Sequence, residues 1–278
     1  MRPFAKTALA VLISVSATLP VSFAYAGFEE GVAAYQKGEY NFAVKEFKKL
    51  AKRGEARSQR FLGLAYAAGN GVSRNDETAI HWLTEAADRD DATARYYLAL
   101  MHSNGRSSER QNHKVAAEWW EYAAEQDHAR SQASLGLAYF EGRGVRRNPV
   151  KAAEWWQKAA ELGDPVAQRF LGLIYLVGKG VPRDYVASVD WFAKAAKQGD
   201  VLAQYNLGVM LVQGKGGRQD YGEAASWLKR ATLQKPSKDL SKEFQVKGGS
   251  QDYSAALKWY RKAAEQAYAY VRLTDPGK

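Results

Sequence analysis

Between Ala167 and Gly199 the apolar positions fall into two helical stripes separated by a glycine-rich turn. Ala167, Leu171, Ile174 and Tyr175 recur at helical spacing, which sets small and large apolar groups on one face of a helix. Gly172 lies inside that stripe, where glycine costs about 1 kcal/mol relative to alanine, so its position predicts close approach by a neighbouring helix. The run Gly178-Lys179-Gly180-Val181-Pro182 ends this helix, and Asp184 is placed to cap the next one. In that second helix Ala187, Trp191, Phe192, Ala195 and Ala196 form a stripe too wide for one partner, which predicts packing on two sides. Gly199 closes it.

This two-stripe pattern recurs along the chain. Leu62, Leu98, Leu135, Leu171 and Leu207 are separated by 36, 37, 36 and 36 residues, and Trp82, Trp119, Trp155, Trp191 and Trp227 by 37, 36, 36 and 36. Two independent markers therefore keep one period, the signature of an array of helix pairs. Gly63, Gly136, Gly172 and Gly208 each follow the leucine, and Tyr66, Tyr139 and Tyr175 come three residues after the glycine. Alanine pairs follow the tryptophans, which places the first tryptophan of each copy in the packing between copies. Trp120 and Trp156 are expected there with less commitment, since Leu83, Phe192, Leu228 and Tyr260 hold the equivalent place. The Gly-x-Gly frames at Gly69, Gly142 and Gly178 read as turns. A dinucleotide fingerprint needs a preceding strand and a third glycine, and here a helix precedes each frame.

The ends of the chain break the pattern. Residues 1–26 open with Arg2 and Lys6, continue through an apolar run from Thr7 to Leu19, and end in Ala24-Tyr25-Ala26. That order predicts a secretory signal cleaved between Ala26 and Gly27, and the apolar run is too short for a membrane span. Residues 27–54 form a shorter helical pair. Five regular copies occupy 55–232. Residues 233–267 lack a regular first helix, yet Trp259 and the alanines after it restore the second, so this stretch is expected to cap the array. Residues 268–278 are a tail. Inside the array the third copy departs most, with Ala99 for the glycine, His102 for the tyrosine, and a polar turn from Gly105 to His113.

Together these residues resemble the Sel1-like repeat, a relative of the tetratricopeptide repeat with the pattern A-x-x-x-L-G-x-x-Y-x-x-G-x-G-V and then K-A-x-x-W-x-x-K-A-A-x-x-G. The segment Gly38-x-Tyr40-x-x-Ala43-x-x-x-Phe47 is similar to the tetratricopeptide pattern itself. The resemblance implies an all-α, right-handed α-solenoid of about seven antiparallel helix pairs. It also implies a scaffold for protein partners in the cell envelope, with contacts from the first helices just before each leucine. In this chain those positions are Arg60, Phe61, Tyr96, Tyr97, Arg169, Phe170 and Tyr205. Some exported, cysteine-rich relatives are described as binding or hydrolysing β-lactams. This chain has no cysteine, so that activity is carried only as a second alternative.

Composition narrows the chemistry. The chain has 278 residues and a net charge of +10, and removal of residues 1–26 takes away two cations and no acid, leaving it basic. Without cysteine, its stability in an oxidising compartment must come from helix packing. His81, His102, His113 and His128 show no metal-binding spacing, and no nucleophile elbow is present, so neither a metal, a cofactor nor a catalytic residue is expected. The acids Glu118, Glu154 and Asp190 recur one repeat apart, which spreads them along a ladder instead of converging them on one point. Basic clusters around Lys48, Arg143 and Lys229 read first as solubilising surface and leave an anionic lipid, polysaccharide or protein face as the alternative, while export counts against a nucleic acid. Peptidoglycan or an acidic polysaccharide is the first alternative to a protein partner.

Overall fold

The computed structural model describes residues 19–106, 112–217 and 219–233, and every regular element among them is an α-helix. The twelve helices run α1 (Leu19–Gln36), α2 (Tyr40–Ala51), α3 (Ala56–Ala68), α4 (Asp76–Ala87), α5 (Ala92–Ser103), α6 (His113–Ala124), α7 (Ala129–Glu141), α8 (Pro149–Glu161), α9 (Pro165–Val177), α10 (Tyr185–Lys197), α11 (Val201–Gln213) and α12 (Tyr221–Leu233). Consecutive helices pack on one another from α1 to α5 and from α7 to α12, alternating in direction, which is the α-solenoid class. Two compact units are present, divided within α6 between Trp119 and Trp120. The expected capping segment 233–267 and Trp259 lie outside the described residues. Ala24, Ala26 and Gly27 lie within α1, upstream of Phe28, the first residue buried in the core.

Every described pair except α5 with α6, which carries Ala99 at that place, is closed by a glycine notch and a plug. A Cβ added at Gly172 would stand 2.6 Å from the Phe192 ring, and at Gly136 2.6 Å from the Trp156 ring. Gly63 meets Leu83 and Gly208 meets Leu228 in the same way. The first pair repeats the device with Gly31 against Phe47, a correspondence hidden by its irregular spacing. Glycine's propensity cost in mid-helix is thus offset by letting a large side chain fill the space of the missing methyl.

This reverses the order of burial expected for the tryptophans. The residue after the first tryptophan is the deep one: Leu83, Trp156 and Phe192 are fully buried and Leu228 nearly so, because they are the plugs. Trp156 also donates its indole N–H to the Ala133 carbonyl at 3.0 Å. Trp82, Trp119, Trp155 and Trp191 are only half-buried. Trp82, Trp119 and Trp191 pack at the edge of the core shared with the preceding repeat. Leu62, Leu98, Leu135, Leu171 and Leu207 are buried, while Tyr66, Tyr139 and Tyr175 pack half-buried against the same clusters.

The Gly-x-Gly turns are structural at both glycines. The first, as at Gly178, is the left-handed C-cap of the first helix. The second, Gly180, has φ +88° and would place a Cβ 2.4 Å from the Pro149 carbonyl oxygen, at the start of the preceding repeat's second helix. Asp184 then accepts the N–H groups of Val186 and Ala187, capping α10.

Successive repeats are also joined by a buried amide ladder. Gln59, Gln132, Gln168 and Gln204 each donate to the carbonyl eight residues earlier, on Ala51, Ala124, Ala160 and Ala196, at 3.0–3.2 Å. Arg95 holds the same place in the third copy and donates to Ala87 at 2.9 Å. Each bond satisfies a carbonyl at the end of one second helix from the first helix of the next repeat.

Candidate functional site

The residues expected to contact a partner are largely engaged in holding repeats together. In the first unit Arg60 pairs with Asp91 at 3.3 Å, and Phe61 packs on Phe47 with ring centroids 5.1 Å apart. Tyr96 and Tyr97 make an edge contact, and Tyr97 packs on the core around Leu83 and Leu98. In the second unit Arg169 pairs with Asp200 at 3.0 Å, and Phe170 stacks on Trp156 at 4.6 Å with nearly parallel rings. Tyr205 is half-buried, and desolvation pushes its hydroxyl above the usual phenol range. Asp91 and Asp200 also cap the helices that follow them, so each arginine fixes the start of the next repeat.

Of the polar turn of the third copy, residues 107–111 lie outside the described residues, and Arg106 at its start is tied to the preceding repeat. Arg106 donates to the Ala67 carbonyl and to the Asp76 carboxylate, which Arg74 also meets. The hydrogen bond from Arg106, helped by Arg74, lowers the Asp76 carboxyl to about 2 against the opposing effect of burial. Asp164 shows the opposite balance: burial raises its carboxyl although it caps α9 by accepting from Ala167.

A more open arrangement of side chains lies in the second unit, where α6, α7 and α8 meet. Glu121, Tyr139, Lys151, Glu154, Trp155 and Lys158 line a groove of about 340 Å³. Lys151, Glu154 and Lys158 share a face of α8 because they are three and four residues apart. The Lys158 ammonium lies 4.4 Å from the Trp155 ring centroid, and the Lys151 ammonium 5.3 Å from that of Tyr139. The groove therefore offers both signs of charge beside aromatic rings whose faces are already occupied by cations. The same cation-on-tryptophan pairing recurs at Lys194 on Trp191, 3.9 Å, and at Arg230 on Trp227, 4.8 Å.

Sequence reasoning singled out Tyr139 and Trp155 only as packing residues and met Lys151 and Lys158 only as the lysines of the repeat pattern. The signal was the charge alternation along α8, but its meaning depends on Tyr139 and Glu121 arriving from other helices. Among the described residues no group of three or more histidine, aspartate or glutamate side chains is arranged to hold a metal ion. His128 accepts the N–H of Ser131 at the start of α7, and the His113 ring lies 3.4 Å from the Ser103 hydroxyl. No helix among the described residues is long and apolar enough to cross a membrane.

Comparison with known proteins agrees with the repeat pattern. The Sel1 repeat model matches residues 56–91, 92–128, 129–164, 165–200, 201–235 and 243–268. The solved structure of c5321, a protective antigen of uropathogenic Escherichia coli strains displaying an SLR fold, is 34% identical with a TM-score of 0.71. That match covers 92% of this chain and 57% of the E. coli chain, so the present chain spans a little over half of that relative. A Sel1 repeat protein from Oxalobacter formigenes is 29% identical over 85% of this chain and 99% of its own, with a TM-score of 0.71. No curated protein sequence matches the chain significantly. The first five matched repeats are in register with the helix pairs from α3 to α12, and the six together place the chain in the Sel1 repeat family.

Proposed function

We propose that this protein is a periplasmic, non-catalytic scaffold that holds a protein partner of the cell envelope, exported with removal of residues 1–26. Sel1 repeats act in general as scaffolds for protein interaction. The observation that carries the finer reading is the groove around Trp155, with two ammonium groups, two carboxylates and aromatic edges in one open concavity. Such mixed chemistry suits a polar peptide segment with charges of both signs, because each can find an opposite partner at the rim of an aromatic contact.

A peptidoglycan or acidic-polysaccharide binder is the second reading, favoured by Tyr139 and Trp155 in the same groove. Sugar stacking needs an open aromatic face, however, and Lys151 and Lys158 already lie over these two rings. The protein reading is therefore preferred. The test is capture from envelope extracts on the immobilised chain, run beside binding to purified peptidoglycan and an acidic glycan. A protein retained in stoichiometric amount is expected. Recovery of no protein, with glycan binding that weakens as salt is raised, would overturn the scaffold reading in favour of the second.

A further inference from the structure

We infer that the turn edge of the second compact unit, formed by the Gly-x-Gly turns at 142–148, 178–184 and 214–217, docks on an anionic lipid surface. The three turns adjoin one another. Gly180 abuts the Pro149 carbonyl, Gly216 abuts the Tyr185 carbonyl, Lys179 lies over the Phe140 ring, and Lys215 over the Tyr185 ring. Residues on these turns consequently share one edge across three repeats.

That edge is strongly cationic. It carries Arg143, Arg146, Arg147, Lys179, Arg183 and Lys215. The carboxylates on that edge are fewer: Glu141 pairs with Arg143, and Asp184, Asp220 and Glu223 accept neutral N–H groups at the starts of α10 and α12 and from the Trp227 indole. Among the described residues no carboxylate forms an ion pair with Arg146, Lys179, Arg183 or Lys215. An excess of cations along an edge attracts a surface of opposite charge over about a Debye length.

Valines at the same edge select among anionic surfaces. Val150, Val177 and Val186 are 53%, 61% and 59% exposed, and they stand at the start of α8, the end of α9 and the start of α10. Beside the cations they give that edge an apolar component. A lipid interface accommodates both, with headgroup phosphates for the cations and the boundary region for the methyl groups. A polysaccharide or a carboxylate-rich protein face would meet the cations alone. This inference does not depend on which protein fills the groove around Trp155.

The test is co-sedimentation of the full chain with vesicles of phosphatidylcholine containing about one-third phosphatidylglycerol, against vesicles of phosphatidylcholine alone, in low salt. Each cation at an anionic surface contributes about fivefold in affinity, so exchanging Arg146, Lys179, Arg183 and Lys215 for glutamine is expected to weaken binding by several hundred-fold, to order of magnitude. A control variant exchanges Lys194, Lys197, Lys229 and Arg230, toward the other ends of α10 and α12. It loses the same net charge and is expected to weaken binding less than about tenfold. Val150→Ser, Val177→Ser and Val186→Ser together are expected to weaken vesicle binding about tenfold while leaving retention on polygalacturonate unchanged. Equal loss in the two charge variants, equal binding to both vesicle types, or no effect of the serine substitutions would each overturn the assignment to lipid. Residues 1–26 are common to every chain compared and cancel between them.

Discussion

At the scale of single residues, the mid-helix glycines carry the most information. Replacing an exposed helical glycine with alanine ordinarily stabilises by up to about 1 kcal/mol. At Gly172 the new methyl would press on the buried Phe192 ring, and overpacking of this kind costs about 1–3 kcal/mol. Gly172→Ala is therefore expected to lower the denaturation midpoint, and Gly172→Leu to lower it further. A rise in the midpoint for the alanine variant would show that the notch is not filled as described. The need for close approach was legible at Gly172 because a glycine inside an apolar stripe has to be compensated. Which residue approaches was not, since Trp191 and Phe192 are adjacent and only the geometry of the pair decides that Phe192 is the plug.

Asp76 supplies a pH-dependent term at the same scale. Its carboxyl is lowered to about 2, first by the hydrogen bond from Arg106, against an unfolded value near 3.9. A depressed carboxyl contributes stability that is fully present above the unfolded value and is lost as pH falls through the folded one. Arg106→Gln is accordingly expected to reduce stability to urea more at pH 6 than near pH 2, where only the bond to the Ala67 carbonyl is still lost. A deficit of the same size at both pH values would contradict this role. Nothing in the sequence near Arg106 pointed to Asp76, which lies 30 residues earlier in the preceding repeat.

At the scale of elements, the helix pairs were readable from the leucine and tryptophan periods, and the turns from their glycines. The ties between pairs were less so. Gln59, Gln132, Gln168 and Gln204 sit beside apolar markers in the sequence and look like solvated positions, but all four are buried and bonded to the previous repeat. Their shared period was visible, yet Arg95 interrupts it, and only the structure shows that its guanidinium performs the same task. Gln204→Leu removes the donor to the Ala196 carbonyl while keeping most of the volume, and is expected to cost roughly 1–3 kcal/mol. Hydrogen exchange should localise the loss to the end of α10 and the start of α11. Uniform exchange, with no local loss of protection there, would show that the ladder does not couple neighbouring repeats.

At the scale of the whole molecule, repetition explains both what the sequence disclosed and what it concealed. Each repeat buries its apolar face only against its neighbours, so the demands of stacking recur in every copy and can be read by period. A binding surface belongs to particular copies and has no period to reveal it. The seven residues proposed from the positions before each leucine followed the stacking register, and in the structure four of them serve it: Arg60 and Arg169 tie repeats, and Phe61 and Phe170 pack on Phe47 and Trp156. The groove around Trp155 departs from that register, since it draws on three helices of two adjacent repeats.

The scaffold reading is tested most directly by repeating the envelope capture with the Lys151→Glu, Lys158→Glu variant beside an equally charged Lys194→Glu, Lys197→Glu control. All four side chains are exposed, so neither variant disturbs the core. The account predicts that a protein retained by the native chain is retained by the control and lost from the groove variant. Retention of the same partner by both variants, or its loss from both, would contradict the claim that the groove of α6, α7 and α8 is where this Sel1 repeat protein holds its partner.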